Sequence, residues 1–201
     1  MSRSRVTIIA TGGANIASLQ FALERLNIES ELSADAARIR DATHVILPGV
    51  GAAADAMARL RASGLDQLIP ALRQPVLGIC LGMQLLFDAS AEGGSDCLKI
   101  IPGEAERFVN APGLPVPHMG WNTLEIGVES PLLNGIDRSG AYAYFVHSFA
   151  LGISGATLAT CTYGRAFSAC VQRENFFGVQ FHPERSAQVG ATILRNFTSI
   201  H

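Results

Sequence analysis

The sequence predicts an α/β fold: a mostly parallel central sheet with helices on both faces, and antiparallel strands added in the second half. Three observations predict it. In the first half, short apolar runs alternate with segments whose apolar residues recur at helical spacing, the pattern of successive βαβ units. In the second half, strand-like runs follow one another with almost no helical segment between them. Glycine-rich turns also close two of the early apolar runs, at Pro48-Gly49-Val50-Gly51 and around Cys80. Open parallel sheets hold their ligands at that carboxyl edge.

Val6 to Ala10 reads as the first buried strand. Gly12-Gly13 turns it into a helix with Ile16, Leu19, Leu23 and Leu26 on one stripe, and Asn15 is placed to cap it. The Gly pair lacks the spacing of a dinucleotide fingerprint, and no phosphate-loop lysine follows. A strand at Ile28 to Leu32 and a helix at Asp35 to Arg40 come next. The strand His44 to Leu47 then leads through the Pro48–Gly51 turn into helices at Ala52 to Ala62 and Leu65 to Leu72. Val76 to Cys80 is the fourth strand, with an amphipathic segment, Met83 to Ala89, read as the helix after it. Beyond it, strands are expected at Ala105 to Val109, Trp121 to Ile126, Tyr142 to Ser148, Leu158 to Thr162, Ala166 to Gln172 and Phe176 to Phe181. Arg173-Glu174-Asn175 makes the last two a hairpin. A helix from Ala187 to Ile200 closes the chain, with Val189, Ile193, Phe197 and Ile200 on one stripe.

The 201 residues, 48% of them hydrophobic and 16% charged, are read as one domain with a large core. A net charge of −2 gives no electrostatic case for nucleic acid or an anionic membrane. No run is long enough to span a bilayer, and Val6 to Ala10 is too short for a signal-peptide core. Cys80, Cys97, Cys161 and Cys170 have no C-x-x-C spacing, which fits a reduced, cytoplasmic setting.

One of those cysteines is placed for chemistry. Gly78-Ile79-Cys80-Leu81-Gly82 is the cysteine form of the G-x-S-x-G nucleophile elbow, a strained strand-to-helix turn that holds one side chain above the sheet. The glycines leave room for the tight turn, and a helix N-terminus aimed at the sulfur favours thiolate. Taken alone, the pentapeptide fits a buried structural cysteine equally well. A nucleophile needs a base and the base an orienting group. His201 is terminal, His44 begins a strand at the wrong end, and His118 and His147 have no acidic neighbour. His182-Pro183-Glu184 is different. Proline biases the residue before it to extended geometry, so residues 182 and 184 project to one side and Glu184 can hold one ring nitrogen of His182. Oxyanion donors, worth roughly 2.7–4 kcal/mol each in well-studied acyl transfer, are available from the backbone of Gly49, Val50 and Gly51 and from the amide of Leu81. Gln84, one helical turn after Cys80, can bond a substrate amide or carboxylate. Glycine on both sides of Val50 lets the 49–50 peptide rotate cheaply.

Together these segments (P-G-V-G, G-I-C-L-G-M-Q and V-Q-F-H-P-E) resemble the class I, or triad, glutamine amidotransferases, over most of the chain. Val116 to Asn122, Tyr144 to Phe149 and His182 to Ser186 look like the glutaminase subunits of imidazole glycerol phosphate synthase, of histidine biosynthesis. The resemblance implies a flavodoxin-like three-layer sandwich. It implies a Cys80-His182-Glu184 triad that hydrolyses L-glutamine through a γ-glutamyl thioester, with Gly49, Gly51, Gln84, Ser148 and Phe149 around the substrate. The implied partner is a (β/α)₈-barrel cyclase in a heterodimer, which receives the ammonia; no metal or organic cofactor is implied. Trp121 and Arg185 are candidates for that interface, where aromatic residues are enriched. One departure is Ala10, where the family usually has an acidic residue outside the triad. Two other classes use the same features: a stand-alone γ-glutamyl cysteine hydrolase, which would need no partner, and a non-catalytic binding subunit, which the intact Cys80, His182 and Glu184 argue against.

Overall fold

The structure, a computed structural model, describes residues 5–10 and 16–201. The expected Gly12-Gly13 turn and Asn15 cap lie outside the described residues. Along the chain run β1 (Val6–Ile9), α1 (Ile16–Arg25), β2 (Ser30–Ser33), α2 (Ala36–Asp41), β3 (His44–Gly49), α3 (Ala53–Ala62) and α4 (Leu65–Leu68). β4 (Val76–Cys80), α5 (Leu81–Gln84), β5 (Phe87–Ser90), β6 (Ser95–Asp96) and β7 (Ile101–Arg107) follow. The second half holds β8 (His118–Thr123), β9 (Glu125–Ile126), β10 (Tyr142–His147), β11 (Phe149–Leu151), β12 (Thr157–Tyr163), β13 (Arg165–Arg173), β14 (Phe176–Val179) and α6 (Ala187–Phe197).

The main sheet has the order β2-β1-β3-β4-β14-β13-β12-β9. β2, β1, β3, β4 and β14 are parallel; β13, β12 and β9 add antiparallel strands at one edge. This is the mostly parallel sheet with an antiparallel extension that the sequence predicts. Alternation along each strand divides the core in two. Ile8, Ile46, Leu77 and Ile79 face α1 and α6, whereas Ile9, Val45, Leu47 and Val76 face α2, α3 and α4. Helices therefore cover both faces, as expected. Asp35 caps α2 instead of lying within it, its carboxylate accepting from the Arg38 amide at 2.9 Å. The β13–β14 hairpin forms across residues 173–176 as predicted.

Three expectations fail. The helix read at Met83 to Ala89 does not form; α5 is a single turn, and Phe87 opens a strand. The cause is competition for carbonyls. The Leu98 amide donates to Leu85 O, those of Ile100 and Ile101 to Leu86 O, and that of Lys99 to Phe87 O. Leu85, Leu86 and Phe87 are fully buried, so the segment has no solvent face to give a surface helix. The strand expected at Ala105 to Val109 begins earlier, at Ile101, and joins β11, β5 and β6 in a separate four-stranded sheet. The run Trp121 to Ile126 divides between β8, which pairs with β10 in a two-stranded ribbon, and β9, which joins the main sheet.

Candidate active site

β3, β4 and β14 are central neighbours in the parallel sheet, and their carboxyl ends supply the site. Gly49 pairs with Cys80 across β3 and β4. Cys80 itself takes φ +53° and ψ −111°, a conformation that favours glycine, so the elbow is strained as its sequence predicts. The glycines around it allow a close approach. A Cβ on Gly82 would lie 1.8 Å from the Leu47 carbonyl oxygen, and one on Gly78 would lie 2.7 Å from the Gly82 oxygen. Because α5 is only four residues long, its support for a thiolate reduces to the first-turn amides and is not that of a long helix dipole.

His182 enters from the end of β14. Its amide donates to Tyr144 O at 2.9 Å, and its carbonyl accepts from the Ser186 hydroxyl at 2.7 Å, which fixes the turn 183–185 below the ring. Nδ1 lies 2.9 Å from Glu184 Oε1, both side chains being nearly buried. The His182 ring and the Cys80 sulfur border the same cavity; with Nδ1 committed to Glu184, the nitrogen free to meet the sulfur is Nε2. Burial disfavours the imidazolium, but the Glu184 carboxylate and the Cys80 sulfur beside the ring overcome it, raising the His182 pKa above the ordinary value. Glu184 Oε2 is buried and has no hydrogen-bond partner in the structure.

Two cavities meet at this group. The first, of about 310 Å³, is lined by Val50, Gly51, Cys80, Leu81, Gln84, Glu92, Pro117, Val146, His147, Ser148, Phe149 and His182. That is the small end of the usual range for small-molecule sites, roughly 300–1,000 Å³. The second, of about 230 Å³, lies on the other side of His182, between Ile16, Leu19, Pro48, Gly49, Val50, Ile79, Glu184 and Arg185. Val50, Val146 and His182 border both. Most of the residues predicted for glutamine and its oxyanion thus meet around one cavity, while Gly49 faces the second. Gly51 adopts φ +90°.

Gln84 sits differently from expectation. Its Nε2 donates both to Phe149 O at 2.8 Å and to Gln180 Oε1 at 3.0 Å, so only its Oε1 remains to offer the cavity. Four other residues escape the sequence reasoning. Gln180 is fully buried beside the sulfur. Glu92 reaches the cavity while its Oε2 caps α3 through the Ala53 amide at 2.8 Å. His147 has no acidic neighbour along the chain, yet it lines the cavity. Its Nδ1 bonds Phe149 O at 2.8 Å and its Nε2 meets Nδ1 of His118 at 3.0 Å; His118 Nε2 lies 3.2 Å from Asn122 Nδ2. Since a carbonyl can only accept, the His147 proton sits on Nδ1 and His118 donates to it, which makes both rings neutral. Burial lowers the His118 pKa to about 4 and the His147 pKa to about 3.

Trp121 and Arg185 both meet the Tyr144 ring. Trp121 is opposite Tyr144 in the β8–β10 ribbon, with ring centroids 6.0 Å apart, and Arg185 lies 4.2 Å over the Tyr144 ring. Met119 and Trp121 project outward from this ribbon, 65% and 53% exposed. Among the described residues, no cluster of three or more His, Cys, Asp or Glu is arranged to hold a metal ion.

An elbow cysteine, a histidine beside it on the same cavity and a carboxylate behind the ring thus lie together at the carboxyl edge of a doubly covered parallel sheet, where such folds hold their ligands. The class follows directly: residues 11–200 match the glutamine amidotransferase class-I family, and the chain belongs to it. Within that family the chain is 50% identical over 194 residues to the imidazole glycerol phosphate synthase subunit HisH of Xylella fastidiosa (strain 9a5c), covering 96% of each chain. It is 51% identical over 192 residues to the protein of the same name from Xanthomonas euvesicatoria pv. vesicatoria (strain 85-10), again 96% of each. Among solved structures, a glutamine amidotransferase superposes with a TM-score of 0.74 at 19% identity, covering 97% of this chain and 99% of that one. Another, from Thermotoga maritima, does so with a TM-score of 0.67 at 17% identity, covering 99% and 84%. These structural matches speak for the fold.

Proposed function

We propose that the chain is the glutaminase subunit of an imidazole glycerol phosphate synthase, and that Cys80, His182 and Glu184 are its catalytic residues. The observation that carries the chemistry is the placement of Cys80 at positive φ and His182 on one cavity, with Glu184 2.9 Å behind the ring. The pathway assignment is supported by the relatives of that name at 50% identity over 96% of the chain.

In the proposed reaction the Cys80 sulfur attacks the side-chain amide carbon of glutamine and His182 takes the thiol proton. The developing oxyanion is met by the amide of Leu81 and by that of Val50 at the end of β3. Collapse of the adduct breaks the C–N bond, and His182 returns its proton to the departing ammonia. Water, deprotonated by the same ring, then cleaves the γ-glutamyl thioester to glutamate and restores the thiol. Glu184 fixes the ring and stabilises the imidazolium at each stage. Gln84, with both amide hydrogens used, presents Oε1 as an acceptor. Glu92 adds a carboxylate, so this end of the cavity suits the substrate ammonium group, while Ser148 and the Phe149 backbone serve the carboxylate end.

The ammonia then passes to a barrel cyclase partner, which makes imidazole glycerol phosphate and the aminoimidazole carboxamide ribonucleotide. The group of Trp121, edge-on to Tyr144, and Arg185, which lies over Tyr144 and lines the second cavity, is the proposed contact with that partner. A cytoplasmic location agrees with four unpaired cysteines. The test is glutamate release from glutamine, measured with and without the cyclase and its nucleotide ligand, with Cys80→Ala as the control. Strong stimulation by the liganded cyclase, abolished by Cys80→Ala, is expected. Partner-independent hydrolysis would point to a stand-alone γ-glutamyl hydrolase instead, and activity retained by Cys80→Ala would refute the triad.

A further inference from the structure

Gln180 lies two residues before His182 on the strand-to-turn exit of β14, in a position that reads as plain sheet core. Its side chain is fully buried, so its amide must find partners inside the protein. The partners are unusual: Oε1 accepts from Gln84 Nε2 at 3.0 Å, and Nε2 lies 3.8 Å from the Cys80 sulfur.

The direction of this chain is set by chemistry. Phe149 O is a backbone carbonyl and can only accept, so the group of Gln84 that faces it at 2.8 Å must be the NH₂. That same NH₂ faces Gln180, so Gln180 must answer with its oxygen. Its own NH₂ is then turned to the sulfur. The opposite orientation would set two NH₂ groups against each other and a carbonyl oxygen against the nucleophile. One main-chain carbonyl on β11 thus determines which end of the side chain just past β14 meets Cys80.

We propose that Gln180, held by Gln84 and Phe149 O, is a positioning residue that aims one N–H at the Cys80 sulfur and so favours the attacking thiolate over the thiol. The proposal rests on Cys80 being the nucleophile. A thiolate accepts a charge-assisted hydrogen bond far better than a thiol, so a buried donor with no other acceptor acts as a bias towards the charged form. The sulfur also lies 3.7 Å from the carbonyl oxygen of Val146, which can accept only from the thiol, so the Gln180 N–H acts against that contact. The titratable groups that face Cys80 are His182 with Glu184 behind it, neutral His147 from β10, and Glu92 across the cavity. None of them supplies a neutral N–H donor fixed from below.

The test is alkylation of the resting enzyme by iodoacetamide as a function of pH, followed by mass spectrometry, which requires no turnover. The signal near neutrality belongs to Cys80: burial pushes the Cys97 thiol up to about 11 and that of Cys161 to about 12, and raises that of Cys170 further. Cys80→Ala gives the background. In Gln180→Met, which keeps the volume but removes the N–H, Cys80 alkylation at pH 7 is expected to slow about tenfold and its profile to move to higher pH. The kcat for glutamine should fall with KM changed less than threefold. Gln180→Glu is the discriminating variant. It still accepts from Gln84 and so preserves any structural link, but it presents oxygen to the sulfur; alkylation is expected to slow more than in Gln180→Met. Circular dichroism and urea midpoints confirm folding of each variant. Alkylation within twofold of wild type in either folded variant would overturn the proposal. Absence of glutamate release by wild type with the cyclase would instead sink the glutaminase reading and leave the alkylation result standing.

Discussion

Replacing Gly82 with alanine is expected to damage the site far more than its one methyl group suggests. A Cβ at this position would lie 1.8 Å from the Leu47 oxygen, 2.8 Å from the Leu47 carbonyl carbon and 3.2 Å from the Pro48 carbonyl carbon. Close C–H···O contacts settle at about 3.3–3.6 Å, so the backbone of α5 and the end of β3 must separate by roughly 1.5 Å. Little slack exists on the other sides. The Gly82 amide nitrogen lies 2.9 Å from where a Cβ on Gly49 would be, and its oxygen 2.7 Å from where one on Gly78 would be. Overpacking in ordinary cores costs about 1–3 kcal/mol; with backbone as the obstacle, a loss at the upper end, ~3 kcal/mol, is expected. Cys80 and Leu81 precede the displaced residue, so the sulfur and one proposed oxyanion donor move with it. A misplacement of about 1 Å can cost on the order of 100-fold in rate. Urea unfolding and cyclase-stimulated glutamate release measure both effects. Gly94→Ala is the control: it has φ +58° with nothing within 4 Å of its Cβ position, so it pays only local backbone strain, about 1 kcal/mol. If Gly82→Ala matched that control in stability and kept activity within threefold of wild type, close approach of the elbow to β3 would not be what requires glycine there.

Three further outcomes are expected. Val50→Pro removes the amide proposed to meet the oxyanion, so stimulated turnover should fall by roughly 100- to 1,000-fold; unimpaired stimulated kcat would exclude that donor and the rotating 49–50 peptide with it. Trp121→Ala should weaken binding to the cyclase by about 2 kcal/mol, read by titration calorimetry, with unstimulated glutaminase activity unchanged; wild-type affinity would remove Trp121 from the interface. The neutral His118–His147 pair makes the fold acid-sensitive: its stabilising contribution is complete above the unfolded value of 6.5 and is lost as pH falls towards the folded values of about 4 and about 3. Between pH 7.5 and 5 this amounts to ~2 kcal/mol per histidine, and His118→Phe, whose ring can stack between Phe145 and Tyr163, should flatten the dependence in urea unfolding at the two pH values.

The elbow and the His182–Glu184 pair were legible because their constraints are local. Glycines two residues either side of Cys80 announce a crowded turn, and a proline between two polar residues sets their common direction. The early βαβ units were legible for the same reason, since each strand and helix carries its own periodicity. Residues 83–101 were not. Leu85-Leu86-Phe87 suits a helix or a strand, and the choice is made by amides of residues 98–101, which no local pattern reveals. Gln180 was hidden more thoroughly. It interrupts an apolar strand by a single polar residue, and its partner Gln84 is 96 positions away. His147 has no carboxylate near it along the chain, and its partner, His118, stands opposite it on β8, where no local pattern points. Tyr144 likewise joins Trp121 to Arg185 only in three dimensions.

His147 and His182 border the same cavity and begin from the same intrinsic basicity, and the fold drives them apart. Behind His182 stands Glu184, and before it the Cys80 sulfur, so despite burial its charged form is favoured. Behind His147 stand a carbonyl and a second imidazole, which use both ring nitrogens and offer no negative charge; Arg165 and His182 add unfavourable fields, so burial prevails and the ring stays neutral. Divergence of this kind assigns roles. In the proposed reaction, the ring that gains and gives up a proton needs a counter-charge on one nitrogen and the nucleophile on the other, and of these two rings it is His182 that has Glu184 on Nδ1 and Nε2 free. His147 has no nitrogen free for proton transfer, and its place in the cavity wall is that of a rigid, uncharged surface beside Ser148 and Phe149. The same reasoning explains why a histidine in the cavity wall can be tolerated there: a second imidazolium would repel that of His182, and with Nδ1 held by Phe149 O and Nε2 by His118 the His147 ring stays neutral.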